Sequence, residues 1–370
     1  MGSVSATSSL CAHHPAHESA RRARPACFTT GNRGRDPAYG RAPAHAWSHH
    51  VLRLLSVLYR WLVARRNAQF DRHERPIVPV DRPVISVGNI SAGGTGKTPV
   101  VQMLVGMLRQ AGLRPAVVLR GYRRRSRGLV VVHDGQQLRV DVARAGDEAF
   151  LHAKTLGVPV VVSSDKVEAA AHAAGNLPCD VIVVDDGFQH RALHRDVDVV
   201  IIDPATLSGS LLPAGRLREP LAALSRADIV LLADGVTPEQ VRPLMNSSAR
   251  TFALHRTLRC TAPTNVPVLA VSGIARAERF HDSLRALGYT IAGTLVFADH
   301  HRYTAFNVRT IATAARKHHA QIITTSKDHV KLAPLIDDAS LLAQIFVLEL
   351  EAHVDTSAPF LSELLRRINP

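Results

Sequence analysis

The chain has 370 residues, of which 46% are hydrophobic, and this is enough to build two well-buried cores. Its formal net charge is +14, but only 5% of its residues are aromatic and no base-stacking pattern is visible. The charge alone would suit nucleic acid, but the few aromatic residues make that interpretation weak, and an anionic membrane surface or a phosphorylated substrate explains the charge as economically. The four cysteines are far apart, without metal or disulfide spacing, as is typical of a reducing compartment.

Residues 1–45 differ in composition from the rest of the chain. They are rich in Ala, Arg, Pro and Ser, and they carry six arginines against Glu18 and Asp36. They show no hydrophobic periodicity and no apolar segment of the signal-peptide type. We predict a disordered basic extension that adds little to function.

Residues 46–66 are predicted to form one amphipathic helix. Leucines, valines and Trp61 cover most of its surface, while Arg53, Ser56, Arg60 and Asn67 share one stripe. The apolar run is too short and too interrupted to span a bilayer. A helix of this kind suits a membrane interface, but a terminal helix docked on the protein's own core fits the periodicity equally well.

The strongest local signal is the run PVISVGNISAGGTGKTP, residues 83–99. A β-branched strand leads into a glycine-rich turn, and an apolar helical pattern follows. Such glycines let backbone N–H groups cradle phosphate oxygens, so we predict a nucleotide-phosphate loop made by Ser91, Ala92, Gly93, Gly94, Thr95, Gly96, Lys97 and Thr98. Lys97 would reach the β- and γ-phosphates of ATP, and the Thr98 hydroxyl would ligate Mg²⁺. The strict P-loop pattern has glycine where Ser91 stands.

The next segments alternate between strands and polar loops. A strand over 115–119 runs into five arginines between residues 120 and 127, which could contact phosphate or membrane or form a solvated turn. Residues 129–142 are predicted to form a hairpin that turns at Asp134 and Gly135. Asp147 and Glu148 precede a helix, and their charges could serve chemistry or only complement its dipole.

A second strong signal is the run DVIVVDDGFQH, residues 180–190. Four apolar residues end in Asp185 and Asp186, which predicts a buried strand that delivers carboxylates to its carboxyl end. In P-loop proteins this position holds Mg²⁺. Strands over 198–203 and 228–233 continue the alternation. Between them, the loop that contains Arg218 could stabilise transition-state charge, or the Arg218–Glu219 pair could be purely structural.

The chain therefore divides into predicted units. We predict a P-loop α/β domain over residues 67–240, a linker over 241–266, which lack a clear pattern, and a smaller α/β domain over 267–370. The second unit alternates strands and helices from residue 268, without a P-loop of its own. Its conspicuous polar segments are FADHHRY at 297–303 and TSKDHVK at 325–331. A histidine pair on a loop is usually only exposed, so the residues alone do not assign it a role.

With these motifs assembled, the chain resembles the tetraacyldisaccharide 4'-kinase (lipid A 4'-kinase) family. The resemblance runs from about Trp47 to the C-terminus and rests on the motifs LYRWLVARR, PVISVGNISAGGTGKTP, RGY, GDE, VVDDGFQH, LLPAGRLREP, FADHHRY and TTSKDHVKL. It implies an α/β fold of two α/β/α domains joined by a linker, the first with a P-loop NTPase-like, mostly parallel sheet. It also implies transfer of the γ-phosphate of ATP to the 4'-hydroxyl of a tetraacylated glucosamine disaccharide 1-phosphate. The expected location is the cytoplasmic face of the bacterial inner membrane.

The resemblance also suggests residue roles. Asp147 matches a proposed general base, His300 its partner from the second domain, and Arg218 a basic site position. His300 is preferred to His301 because the family motif has its histidine directly after the aspartate. Ser91 agrees with the family pattern, which also lacks glycine at that position. Lys166 departs from it, because we expect arginine there. A membrane-bound acceptor favours the interfacial interpretation of residues 46–66, and no obligate protein partner is evident.

Two other function classes remain to be weighed. One is a P-loop ATPase of the partitioning and assembly class, acting at a membrane. Its signature lysine is replaced here by Ala92, which argues against it. The other is a membrane-recruited nucleotide switch, in which Asp147 and His300 would be incidental.

Overall fold

The computed structural model describes residues 46–94 and 96–369, with side chains from Val51 onward. The extension predicted over residues 1–45 lies outside the described residues. The strands are β1 Val84–Gly88, β2 Pro115–Leu119, β3 Val130–His133, β4 Val160–Val162, β5 Val181–Asp185, β6 Val197–Ile202, β7 Ile229–Ala233, β8 Arg250–Arg259, β9 Val268–Ser272, β10 Ile291–Val296, β11 Gln321–Thr325 and β12 Ile345–Val354. The α-helices are α1 Ala46–Asp71, α2 Lys97–Gln110, α3 Val142–Ala145, α4 Asp147–Leu156, α5 Lys166–Asn176, α6 Pro204–Leu207, α7 Pro238–Val241, α8 Ala277–Ala286, α9 Ala305–Lys317, α10 Ser326–Leu332, α11 Ala339–Leu342 and α12 Ser357–Ile368.

The first half of the chain builds a mostly parallel sheet. Its strand order is β7-β6-β1-β5-β2-β4-β3, and only β3 runs antiparallel to its neighbour. The five strands β1, β2, β5, β6 and β7 are buried along their whole length, as their β-branched runs predict. Because β1 and β5 are parallel neighbours, the loops after both strands meet at one edge of the sheet. The predicted α/β fold class is confirmed.

The second half continues the same sheet in the order β10-β9-β11-β12-β8. The first residues of β12 pair with β11 in parallel, and its last six pair antiparallel with β8. Strand β8 lies inside the segment 241–266, for which the sequence predicts no pattern. Its residues are half exposed and include several arginines, so β8 lacks the apolar signature of a buried strand.

Helix α12 returns to the first half of the molecule. Its buried residues Phe360, Leu364 and Ile368 share one core with Ile85 of β1 and Leu104 of α2. The i, i+4, i+8 spacing of these three residues places them on one apolar face. The division of the chain at residues 240 and 266 stays a prediction.

The hairpin predicted over residues 129–142 is formed only in part. Asp134 does turn the chain, because its carboxylate accepts from the backbone N–H groups of Gln136 and Gln137. The returning arm, however, makes only an isolated bridge between His133 and Leu138, and β3 pairs with β4 instead. Pairing with a strand of the main sheet buries Val132 and His133, whereas an isolated two-stranded hairpin would expose them.

Helix α1 lies against the loop of residues 210–219. The Ser56 hydroxyl donates to the Leu211 carbonyl at 3.1 Å, the Tyr59 hydroxyl donates to the Arg218 carbonyl at 2.9 Å, and the Asn67 amide donates to Glu219 at 2.8 Å. Ser56 and Asn67 of the predicted polar stripe therefore face the protein, together with the buried Val63 and Phe70, whereas Arg53 and Arg60 of that stripe are exposed. The opposite side exposes Leu54, Val57, Leu58, Trp61 and Leu62. Among the described helices, none combines the length and the apolar character that crossing a membrane requires.

Candidate active site

The loop between β1 and α2 has the geometry of a phosphate cradle. Gly93 and Gly96 have φ values of +108° and +76°, which glycine adopts without strain. At Gly93 a Cβ atom would also collide with the guanidinium of Arg216. Helix α2 begins at Lys97, so its free N–H groups and its positive dipole end face the loop. Gly94, Gly96, Lys97 and Thr98 line this turn, while Thr95 lies outside the described residues.

Ser91 and Ala92 begin the loop and are held by the protein itself. The Ser91 hydroxyl is buried against Asn89 and Thr206, at 3.2 and 3.3 Å. The Ala92 N–H donates to the Arg216 carbonyl at 2.6 Å. Both residues therefore anchor the loop to residues 206–216, and their contribution to nucleotide binding stays a prediction.

The acidic pair lies at the carboxyl end of β5, next to this loop. Lys97 Nζ lies 3.4 Å from Asp186 Oδ1, and Arg218 donates to Asp186 Oδ2 at 2.8 Å. Burial opposes ionisation of Asp186, but the charges of Lys97 and Arg218 outweigh it and lower the pKa of the carboxyl to about 2. Asp186 also has a φ of +53°, an uncommon conformation outside glycine that aims the carboxylate away from the strand. Lys97, Asp186 and Arg218 thus meet at one point.

Asp185 is held by a histidine that the sequence did not single out. His152 of α4 is fully buried, and its Nε2 lies 3.2 Å from Asp185 Oδ2. A carboxylate fixed in this way has a defined orientation, as metal-ligating carboxylates commonly have. His152 follows two apolar residues inside an apolar helix face, so the sequence offered no local signal for it.

Lys166 holds the backbone of the same acidic pair. Its ammonium donates to the Asp185 carbonyl at 2.9 Å and to the Asp186 carbonyl. Burial lowers the pKa of Lys166 to about 8. The sequence left open whether Lys166 contacts nucleotide or substrate. In the structure its hydrogen-bond partners are the backbone carbonyls of Asp185 and Asp186.

Arg218 and Glu219 have separate partners, so the alternative of a mutual structural pair does not hold. Arg218 turns to Asp186, whereas the fully buried Glu219 accepts from Arg226 at 2.9 Å and from Asn67 of α1. The Arg226 guanidinium also stacks over Phe188, 4.6 Å from the ring centroid. Glu219 is therefore a structural anchor between α1 and the loop that carries Arg218.

Glu219→Gln is expected to lower the free energy of unfolding by about 3 kcal/mol, because it leaves the buried Arg226 without a counter-charge. Urea unfolding of the purified chain measures this. Glu74→Gln, which removes an exposed partner of Arg72, should change stability by less than about 0.5 kcal/mol. Equal losses for both variants would contradict the structural assignment of Glu219.

Asp147 and His300 are joined across the two halves of the chain. Asp147 is the first residue of α4, and its Oδ2 lies 3.1 Å from His300 Nδ1. Burial alone would raise the pKa of Asp147, but hydrogen bonding to His300 and the charge of Lys331 lower it below its ordinary value. His152 follows Asp147 by five residues, about 7.5 Å of helix axis, so α4 reaches from this pair to Asp185.

The loop around His300 is shaped for this contact. His300 has a φ of +58°, and Tyr122 packs edge-on against its ring at 5.4 Å. A strained backbone at a polar contact between distant segments is typical of functional sites. His301 instead hydrogen-bonds Asn307 and stacks on Phe297, which is a structural role. In the arginine-rich loop, Arg123 donates to the Asp299 carbonyl at 3.0 Å and Arg124 folds back on the loop.

A metal site is compatible with these residues. Within residues 46–94 and 96–369, no group of three or more His, Cys, Asp or Glu side chains is arranged to hold a metal ion. Mg²⁺ at nucleotide sites commonly takes one or two carboxylates, with waters and phosphate oxygens filling its other positions. The Thr98 hydroxyl and the carboxylates of Asp185 and Asp186 are hard oxygen donors of that kind.

Binding a nucleotide requires the loop and the acidic pair, but activating a hydroxyl acceptor additionally requires a base such as the Asp147–His300 pair offers. The fold and the site together define a P-loop kinase. Residues 48–369 match the family model described as tetraacyldisaccharide-1-P 4'-kinase. The chain belongs to that family, as the resemblance implied.

Relatives agree with this membership. A tetraacyldisaccharide 4'-kinase of Anaeromyxobacter sp. (strain Fw109-5) is 39% identical over 315 residues, which cover 79% of this chain and 85% of that protein. One from Chlorobium phaeovibrioides is 36% identical over 304 residues, covering 76% and 86%. The crystal structure of the "apo" form of LpxK from Aquifex aeolicus in complex with ATP superposes with a TM-score of 0.74 at 32% identity, covering 87% of this chain and 99% of that one.

Proposed function

We propose that this kinase transfers the γ-phosphoryl group of ATP to the 4'-hydroxyl of a tetraacyldisaccharide 1-phosphate, making lipid IVA in lipid A biosynthesis. The observation that carries the proposal is the Asp147–His300 contact, at the start of the helix whose His152 holds Asp185. The two residues come from segments 153 positions apart, so a chance pairing of exposed loops is a poor explanation. Family membership and an ATP-bound relative support the donor.

The proposed chemistry assigns one task to each group. The N–H groups of residues 93–98 hold the phosphates, Lys97 moves from Asp186 to the β- and γ-phosphates, and Arg218 offsets charge on the transferring group. Asp147 accepts the proton of the 4'-hydroxyl, and His300 orients the carboxylate. Asp147 is a weak base, but in a loose transition state the proton leaves late, so a weak base in the right place suffices.

Mg²⁺ is proposed at Thr98, Asp185 and Asp186. When bound, it would neutralise negative charge on the phosphates of the nucleotide. Lys97, which pairs with Asp186 here, would then be free to contact the phosphates. Asp147 and His300 already lie in contact, at 3.1 Å, so the acceptor hydroxyl would meet an assembled pair.

The lipid acceptor is proposed to be reached from an anionic membrane surface through α1, at the cytoplasmic face of the inner membrane. Leu54, Val57 and Trp61 are 71%, 67% and 54% exposed on one side of the helix. Arg65 lies over the Trp61 ring at 5.5 Å, which puts positive charge next to the apolar face. An apolar face rimmed by cations suits the boundary between headgroups and acyl chains.

Changing Leu54, Val57 and Trp61 to serine is expected to weaken binding to vesicles at least about tenfold, because three apolar side chains lose their place in the bilayer. Co-sedimentation with vesicles containing anionic lipid measures this. The same exchange at Phe306, Leu335 and Leu342, three exposed apolar residues on the second half, should leave sedimentation unchanged. Equal loss for both triple variants would point away from α1 as the contact surface.

One assay decides between the kinase and the other function classes. The purified chain is incubated with γ-labelled ATP, Mg²⁺ and a tetraacyldisaccharide 1-phosphate in detergent, and the lipid fraction is counted. Label in the lipid supports the proposal. Label in free phosphate alone, at the same rate with and without lipid, would indicate an ATPase or a nucleotide switch of the partitioning and assembly class.

A further inference from the structure

A buried lysine of the second half lies between two carboxylates, one of which is Asp147. Lys331 Nζ is 3.1 Å from Asp147 Oδ2 and 3.1 Å from Asp328 Oδ1. The Lys331 side chain is 6% exposed and that of Asp328 is fully buried. Lys331 therefore shares Asp147 Oδ2 with His300 Nδ1. It cannot be a solvated surface charge, and its position needs an explanation.

Asp328 ties this lysine to the loop that carries His300. Its Oδ2 accepts from the Gly273 N–H at 2.8 Å and from the Thr325 hydroxyl at 2.7 Å. The carbonyl of Gly273 accepts from the backbone N–H of His300 at 3.1 Å. These contacts form a closed ring. One side runs from His300 through Gly273 to Asp328, and the other runs from Asp328 through Lys331 and Asp147 back to His300.

We propose that Lys331 is a positioning residue, which fixes the Asp147 carboxylate against His300 and couples it to the His300 loop through Asp328. The inference rests on the proposed role of Asp147 as the base. A carboxylate at the first position of a helix can rotate toward solvent or toward its own helix N–H groups. His300 and Lys331, both from the second half of the chain, contact the same oxygen of Asp147. Together they hold its carboxylate in a single orientation.

The energetics favour positioning over stability as the reason for this arrangement. A buried ion pair contributes little net stability, because desolvation of the charges offsets their attraction. The Asp328–Lys331 pair also lies within one short helix, α10, which other contacts already dock on β11 and α4. Lys331 supplies the direct contact between this helix and the carboxylate of Asp147.

The chain offers a matched control four residues earlier on the same helix. Lys327 Nζ pairs with Glu148 Oε1 at 2.6 Å. This pair also joins α10 to the first turn of α4, but it does not touch Asp147. If Lys331 merely helped the two helices adhere, loss of Lys327 would have a comparable effect on turnover.

The test compares the full-length parent with Lys331→Met, Lys331→Met/Asp328→Asn and Lys327→Met. The double variant removes the buried charge that Lys331→Met leaves behind, while its amide oxygen can still accept from Gly273 and Thr325. Turnover of the lipid, KM for the lipid, Kd for ATP and the melting temperature are measured for each protein.

We expect both variants that lack Lys331 to lose about 10²-fold in kcat, the usual cost of a misplaced catalytic group, with KM and Kd for ATP near parental values. The double variant should melt close to the parent, and Lys327→Met should keep parental kcat. Recovery of kcat in the double variant, or an equal loss in Lys327→Met, would overturn the inference. A parent that does not phosphorylate the lipid would instead refute the proposed function.

Discussion

Asp147→Asn is expected to lower kcat for lipid phosphorylation by about 10³-fold, within the range that general-base catalysis supplies, while Kd for ATP stays within a factor of about three. The amide keeps the shape of the side chain and can still accept from Lys331, so the local fold should persist. What the amide lacks is the ability to take the hydroxyl proton. Steady-state kinetics with saturating ATP and direct nucleotide titration measure the two quantities separately.

His300→Ala should reduce kcat by a similar order, because Asp147 loses one of the two donors that orient it. If the two residues act as one unit, the double variant is no slower than the slower single variant. Additive losses would show that they act independently.

The control is Asp141→Asn, which keeps the cap of α3 because asparagine accepts from the Arg144 N–H as aspartate does. An equal loss in that variant would remove Asp147 from the proposed mechanism.

Features encoded by contiguous residues were predictable. The β1–loop–α2 unit and the strand that ends at Asp185 are recognisable because a buried strand, a glycine turn and an amphipathic helix each leave a local pattern. Parallel pairing of β1 and β5 then follows from general rules of α/β topology, and this brings Lys97 and Asp186 within 3.4 Å.

Features that depend on distant contacts were not predictable from pattern alone. Strand β8 has a polar sequence because only one side of it is covered, and its place is set by pairing with β12 about 100 residues later. Lys331 and His152 read as ordinary residues of their helices, and only the fold reveals the carboxylates that they touch. Asp147 and His300 were paired through the family resemblance, since no spacing rule connects residues so far apart.

The periodicity of α1 allowed two interpretations, a helix at a membrane interface and a helix docked on the protein, and the structure has features of both. The sequence gives a polar stripe and a wide apolar face, without saying which side meets the protein. Here the docked side carries Ser56, Tyr59 and Asn67, because the loop of residues 210–219 presents backbone carbonyls and the buried Glu219. The buried Val63 and Phe70 lie on the protein as well, while Arg53 and Arg60 of the predicted stripe are exposed. The apolar face is left outward, and this arrangement couples the proposed membrane surface directly to the loop that carries Arg218.

Asp186→Asn is expected to have opposite effects on nucleotide binding and on turnover. In the parent without nucleotide, the ionised carboxylate occupies both Lys97 and Arg218, at 3.4 and 2.8 Å. Removing its charge frees these two cations, so Mg²⁺-free ATP should bind about tenfold more tightly, a gain of about 1.4 kcal/mol. Turnover should fall by about 10²-fold or more, on the order expected when a charge-stabilising group is lost, because the site then lacks one of the two carboxylates proposed for the metal.

The matched control is Asp180→Asn, at the opposite end of the same strand. Asp180 also pairs with an arginine, Arg114, whose hydrogen bonds are the main reason that the pKa of this carboxyl is lowered to about 2. It lies at the amino end of β5, remote from the loops that hold phosphate, so its loss should change neither Kd for ATP nor kcat.

Titrations with ATP at increasing Mg²⁺ separate the two carboxylates. The parent and Asp180→Asn should bind ATP more tightly as Mg²⁺ rises, and Asp186→Asn should not. An Asp186→Asn variant that still gains affinity from Mg²⁺ and still turns over would mean that the metal is held elsewhere and that the Lys97–Asp186 pair is only structural.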